Sequence, residues 1–307
     1  MHVARFAVSD SRDARVGVLS DDIVTELDGV GAVSELLHLP VGELRERLRG
    51  ASGPQRRRAD VTLVPPIDSS TEVWACGVTY KTSQGARMEE SERAASIYEL
   101  VYDADRPEIF FKSAAWRVAG DGEPVAIRSD SEVNVPEPEL AVVVNAHGEV
   151  VGFTCCNDVS SRTIEGENPL YLPQAKAYLG GCAVGPAIRP VWEVPDPYNL
   201  SIEMTIERDG VAAWQGAAGT WQLHRRIDDL VGYLLRADVF PDGAVLSTGT
   251  CLVPPAPFTL QPHDVVRIRI EGVGTLTNSV VEGVAGMAWL VDARSDVRRR
   301  ARRAGSA

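Results

Sequence analysis

Glu137 and Glu139 stand two apart at the head of the apolar run ELAVVV, and Asp158 follows 19 residues after Glu139, at the end of EVVGFTCCNDV. Side chains two apart on a strand share a face, so a strand entered at EPE presents both glutamates on one side. Carboxylates held side by side and drawn out of water repel, unless a cation sits between them. The intervening NAHGE has the composition of a turn, and a hairpin of this length returns Asp158 to the glutamates. Three oxygen ligands with no histidine or cysteine favour a hard ion, Mg²⁺ with Mn²⁺ or Ca²⁺ as substitutes, which leaves positions open for water or a substrate oxygen. Spacing alone fits a solvent-facing edge of ordinary surface acids equally well. Downstream, SSRTIEGENPLYLPQAKAYLGGCAVGPAI is too rich in Pro and Gly for a helix and too sparsely charged for a surface linker. It predicts a long ordered loop carrying Lys176.

These residues need a scaffold, and the pattern from Val61 onward is dominated by strands: EVWACGV, EIFFK, PVAIRS, ELAVVV, EVVGFTCCNDV, LSIEMTIERDG, VVRIRIEGV and MAWLV. WQLHRRIDDLVGYLLRA reads as a helix with Leu223, Ile227, Leu230, Val231, Leu234 and Leu235 on one face, and EESERAASIYELVYD as another. Ahead of them, residues 3–28 read as a small hairpin unit. Val33, Leu36, Leu37, Val41, Leu44 and Leu48 then give a helix that Pro40 kinks or splits. GASGPQRRRAD, residues 50–60, is the best boundary candidate. The expected class is α+β, mainly β: a small N-terminal α/β module over 1–65, a catalytic domain over 66–293 and an Arg-rich tail over 294–307. No repeat and no regular βαβ alternation is present.

Composition narrows the function. With 31 Lys+Arg against 43 Asp+Glu the net charge is −12, which repels nucleic acid overall. The end, RSDVRRRARRAGSA, puts six arginines into fourteen residues and is expected to be a frayed, solvated tail. Five cysteines, with one adjacent pair and no CxxC repeat, fit neither a disulfide framework nor a zinc site and read as reduced core residues. No run reaches the ~18 apolar residues of a membrane span, and the first residues lack the apolar core of a secretory signal, so a cytoplasmic protein is expected.

The ordered set FFK, PEPELAVVV, NDVSSR, a lysine-bearing loop, CAVGP and LSTGT resembles the fumarylacetoacetate hydrolase superfamily across residues ~70–290. Within it, RPEIFFK with ENPLYLPQAKAY looks like the sugar-acid dehydratase branch. That branch removes water from a 2-keto-3-deoxypentonate, such as 2-keto-3-deoxy-D-arabinonate, to give 2,5-dioxopentanoate. The resemblance implies a mixed β-roll catalytic domain, with Mg²⁺ on Glu137, Glu139 and Asp158 and catalysis by Lys176 and Glu108. It further implies substrate contacts from Thr250 and from Arg87 of the lid segment, and a homodimer or higher homo-oligomer. Family hydrolases carry a water-activating histidine after a motif matched here by TYKTSQGARM, which has none. His2, His38, His147, His224 and His263 all lie elsewhere, which lowers hydrolysis and raises dehydration. His147 is expected in a turn and His224 on a helix, both structural or exposed.

A 2-keto acid chelated through carboxylate and ketone oxygens has an acidified third carbon. An amine beside a cation and shielded from water can take and return that proton, which makes Lys176 the first choice of base. Glu108 is the first choice of acid for the hydroxyl leaving the fourth carbon, and the two roles are interchangeable on residues alone. Two other readings stand beside this one. A hydrolase or isomerase of acylpyruvates or diketo acids would keep the metal site and, by hydrolysis, yield two acids. A non-catalytic binding protein would keep only the fold, and would depend on residues 294–307 rather than on Lys176.

Overall fold

The run from Leu140 to Val144 lies in a strand buried on both faces, and the rest of the fold is layered around it. The computed structural model describes residues 1–81 and 100–300. Its strands are β1 (His2–Ala7), β2 (Arg15–Ser20), β3 (Ile23–Glu26), β4 (Gln55–Arg57), β5 (Thr62–Val64) and β6 (Glu72–Gly77). Then come β7 (Glu108–Ala114), β8 (Val125–Ile127), β9 (Asn134–Val135), β10 (Pro138–Val144), β11 (Val150–Asp158) and β12 (Ser160–Ser161). The last six are β13 (Cys182–Pro190), β14 (Ser201–Arg208), β15 (Val211–Gly219), β16 (Ala244–Thr250), β17 (Val265–Ile270) and β18 (Gly274–Glu282). The helices are α1 (Val33–Leu37), α2 (Val41–Arg49), α3 (Arg162–Glu167), α4 (Leu172–Lys176), α5 (Ile227–Leu234), α6 (Gly283–Met287) and α7 (Trp289–Ala293). The class is α+β and mainly β.

A large mixed sheet runs β4-β3-β2-β1-β13-β11-β10-β16-β6-β7, with β5 also on β1, and a second runs β15-β14-β17-β18-β8. Alternation along β10 sorts the two cores. Leu140, Val142 and Val144 pack towards the second sheet and α5, whereas Ala141 and Val143 pack towards α1 and α2. Pro40 splits the first helical stretch and stands at the N-cap of α2. Because β1 pairs with β13, the N-terminal meander extends the same sheet that carries the central strands. The segment 50–60 supplies β4, an edge strand on β3.

Several expectations are corrected. The helix over 221–237 shortens to α5: Leu223 bridges Tyr80 instead, and His224 precedes the helix, donating its N–H to Thr79 O at 3.0 Å. The stretch from Ser160 to Lys176 is helical in two short pieces rather than a loop. Ser161 caps α3 by accepting Ile164 N–H, and Pro173 sits in the first turn of α4, where its missing N–H costs nothing. Through residue 300 the tail is docked, not frayed. Val297 is buried, and Arg300 is 7% exposed with its guanidinium 2.8 Å from Glu123. Residues 301–307, and all of EESERAASIYELVYD before residue 100, lie outside the described residues. All five cysteines are free and buried, and no helix among the described residues is long and apolar enough to cross a membrane.

Candidate active site

The site forms where β10 and β11 end together. The hairpin between them turns on Asn145, whose Oδ1 accepts the N–H groups of His147 and Glu149, and on Gly148 at φ +78°. That turn sets a register in which Glu139 opposes Cys156 and Asp158 N–H donates to Glu137 O at 2.9 Å. The carboxylates of Glu137, Glu139 and Asp158 each offer an oxygen within 4.8 Å of the others, and all three residues are buried. On the other side β16 carries a bulge opposite Glu139, where Gly249 adopts φ +93° and aims its N–H at Glu139 Oε2, 2.9 Å away. A Cβ at Gly249 would fall 2.0 Å from Thr79 Oγ1. Ser247 Oγ donates to the same Glu139 oxygen at 2.5 Å.

Cations surround the other two carboxylates. Lys176 Nζ, at the end of α4, lies 2.7 Å from Glu137 Oε2 and 3.2 Å from Asp158 Oδ2, and it donates to Ser160 Oγ. Arg162 Nη2 reaches Glu137 Oε1 at 2.6 Å, and Glu165 stands 3.6 Å from Arg162 and 4.0 Å from Lys176. Lys112 is ion-paired with Asp158 and donates to Val159 O and, at 2.6 Å, to Lys176 O. These seven side chains are at most 5% exposed. Three of these carboxylates, Glu137, Glu139 and Asp158, are crowded together out of water. The conflict shows in Glu139: burial first, then the charges of Asp158 and Glu137, push its carboxyl well above the usual carboxylate range. An all-oxygen donor set of three crowded, buried carboxylates fits a hard divalent cation such as Mg²⁺.

Glu108 opens β7, whose residues 108, 110 and 112 share a face. Phe110 lies under Lys176, with Nζ 5.8 Å from the ring centroid, and Lys112 reaches Asp158, so β7 carries Glu108 towards the same end of the sheet. Gly77 pairs with Glu108, and a Cβ there would meet Glu108 Oε2 at 1.6 Å, so the carboxylate lies against the bare backbone of β6. Thr250 is buried opposite Glu139, with its hydroxyl on backbone groups: 3.0 Å from Pro138 O and 2.9 Å from Leu252 O. Arg87 lies outside the described residues. The histidines bond elsewhere: His2 to Val273 O, His38 to Asp242, His147 to His38 O, and His224 stacks on Tyr102. Sequence reasoning missed Lys112, Arg162, Glu165, Ser247 and Gly249 as members of the site. A lysine two places beyond Phe110 and four beyond Glu108 was a usable period-2 signal, whereas nothing local marks the bulge at Gly249.

The family model described as fumarylacetoacetate (FAA) hydrolase C-terminal matches residues 73–281. A probable 2-keto-3-deoxyxylonate dehydratase of Haloferax volcanii is 52% identical over 215 residues, 70% of this chain and 73% of that protein. A 2-dehydro-3-deoxy-D-arabinonate dehydratase of Saccharolobus solfataricus is 45% identical over 224 residues, 72% of this chain and 75% of that protein. Among solved structures, 2-keto-3-deoxy-D-arabinonate dehydratase complexed with magnesium and 2,5-dioxopentanoate superposes with a TM-score of 0.80 at 35% identity, covering 92% of this chain and 99% of that one.

Proposed function

From the premise that this chain belongs to the fumarylacetoacetate hydrolase family, we infer that it is a Mg²⁺-dependent hydro-lyase that dehydrates a 2-keto-3-deoxy sugar acid to 2,5-dioxopentanoate. The observation that carries this reading is the trio of buried carboxylates with the Lys176 ammonium against two of them. Glu137, Glu139 and Asp158 would hold the ion. When bound, Mg²⁺ supplies Lewis-acid polarisation of the 2-keto group.

The chain's own residues then move protons. Lys176, acting as the free amine, takes a proton from the third carbon, and Glu108, acting as the carboxylic acid, delivers one to the hydroxyl leaving the fourth, so one water departs and a double bond joins those carbons. Protons lost from the fifth carbon and from its hydroxyl, with protons returned at the third and fourth carbons, turn the terminal alcohol into the aldehyde and balance the equation. Lys112 and Ser160 orient the base, through Lys176 O and Nζ respectively. Resemblance, rather than any distance, supports Arg87 and Thr250 as contacts of the substrate carboxylate. It likewise supports residues 66–293 as the catalytic unit, a homodimer or higher homo-oligomer, a cytoplasmic setting and a place in pentose breakdown.

The test is a panel of 2-keto-3-deoxy acids incubated with protein and Mg²⁺, with products read by mass spectrometry. One keto-aldehyde is expected, and two acids would establish hydrolysis instead. Lys176→Ala should bind Mg²⁺ in calorimetry and turn over at least ~10²-fold more slowly. Glu139→Gln should lose metal affinity and activity together, and parent-like Mg²⁺ affinity in that variant would contradict the ligand assignment.

A further inference from the structure

At the far end of β7 from Glu108, a cleft of about 160 Å³ opens between the N-terminal sheet, the segment 67–69 and the docked C-terminal segment. Arg5, Asp68, Ser69, Trp116, Arg294 and Arg300 line it. Arg5 Nε lies 3.2 Å from Asp68, and Arg300 lies 2.8 Å from Glu123 while donating to Val118 O and Trp116 O. The half-exposed indole of Trp116 sits beside two more guanidinium groups, Arg294 at 5.0 Å and Arg117 at 5.8 Å from its ring centroid. Neither of these has a carboxylate partner among the described residues. Among the described residues the cleft is thus lined by three guanidinium groups, Arg5, Arg294 and Arg300, and one carboxylate, Asp68, in a chain whose net charge is −12. Burial lowers the Arg5 pKa from its ordinary value and Arg300 adds to this, while Asp68 and Glu123 oppose it.

We propose that this cleft is a second binding site, for a small oxyanion of the phosphate class, held by Arg294 and Arg5, with the Arg294 guanidinium positioned over Trp116. A guanidinium presents a planar fork of donors that matches phosphate oxygens, and the local excess of positive charge suits an anion. The volume suits inorganic phosphate or the phosphate group of a small phosphomonoester. The bound anion would join the C-terminal segment to the segment 67–69 and to the end of β7, elements far apart in sequence.

Metal-free protein titrated calorimetrically with inorganic phosphate and, in a separate arm, with glycerol phosphate tests the site. Saturable one-site binding that weakens with added NaCl is expected in at least one arm, and the arm that saturates identifies the source. Arg294 is exposed, so Arg294→Ala should keep the fold and lose about tenfold in affinity, one charged hydrogen bond's worth. Lys176→Ala, altered only in the active site, should bind as the parent does. Absence of saturation in both arms at concentrations on the order of 10 mM, unchanged affinity in Arg294→Ala, or loss of binding in Lys176→Ala would each overturn the proposal.

Discussion

Glu139 holds the sharpest electrostatic conflict of the site, because its two donors, Ser247 and Gly249, are neutral while two further carboxylates stand within coordination reach. Its folded-state pKa lies above the unfolded one, so the proton it retains stabilises the metal-free fold at low pH. That contribution is lost as pH rises through the folded value. Melting of protein held in a chelator should therefore occur at lower temperature as pH rises, and Mg²⁺, which requires the carboxylate form, should remove that part of the slope. Burial raises Asp121 and Glu123 as well, so only the Mg²⁺-sensitive part belongs to Glu139. Calorimetry in buffers of different ionisation heat should find about one proton released per ion, and zero release would contradict the assignment. At Gly77, an added methyl meets the mobile end of Glu108 rather than rigid backbone. Gly77→Ala should thus displace one carboxylate, lowering kcat by at least about tenfold with Mg²⁺ affinity and melting temperature nearly intact.

Short elements owe their stability to what they dock against. α4 has five residues, too few to persist alone, and its last carbonyl is held by the buried ammonium of Lys112 on β7. Through that bond the position of Lys176 depends on a residue 64 places earlier in the chain. Lys112→Met removes the anchor and leaves Asp158 without one of its two lysine partners, a change expected to cost about 3 kcal/mol or more. A depressed melting temperature and a fall in kcat should appear together, with no rescue by Lys112→Arg, since a planar guanidinium does not reproduce three converging ammonium donors. Wild-type kcat in Lys112→Met would show that α4 holds Lys176 in place unaided.

On the scale of the whole molecule, the first strand is built into the large sheet, and the segment up to residue 300 packs against it. β1 bonds β13, and Val3, Leu36, Leu37, Leu44 and Leu48 cover the face of β10 and β16 that leads to Glu139. Expressed alone, residues 66–300 would expose that apolar face, and the expected outcome is an insoluble or molten fragment by solubility and near-UV dichroism. At the other end, Arg300 neutralises the fully buried Glu123. Arg300→Met should lower stability by about 3 kcal/mol in urea unfolding, whereas a solvated tail would leave it unchanged.

Period-2 spacing of Glu137 and Glu139, the turn in NAHGE and the apolar run beyond them were enough to foresee a hairpin that gathers three acids, because strand geometry is local and each of these signals lies within about twenty residues. The same locality explains the errors. Pro173 and the glycines around it argued against helix, yet α4 forms because Lys112 closes its end from another strand. The arginine-rich end read as solvent-borne because its counter-charge, Glu123, is 177 residues away. Sequence by itself determined the fold class, the trio of carboxylates and the oxygen-only chemistry of their ion. Only the tertiary structure decided which lysine anchors which, where the bulge at Gly249 aims its N–H, and that Lys112 and Arg162 join the carboxylates, since those contacts are made between strands and helices that meet only when folded.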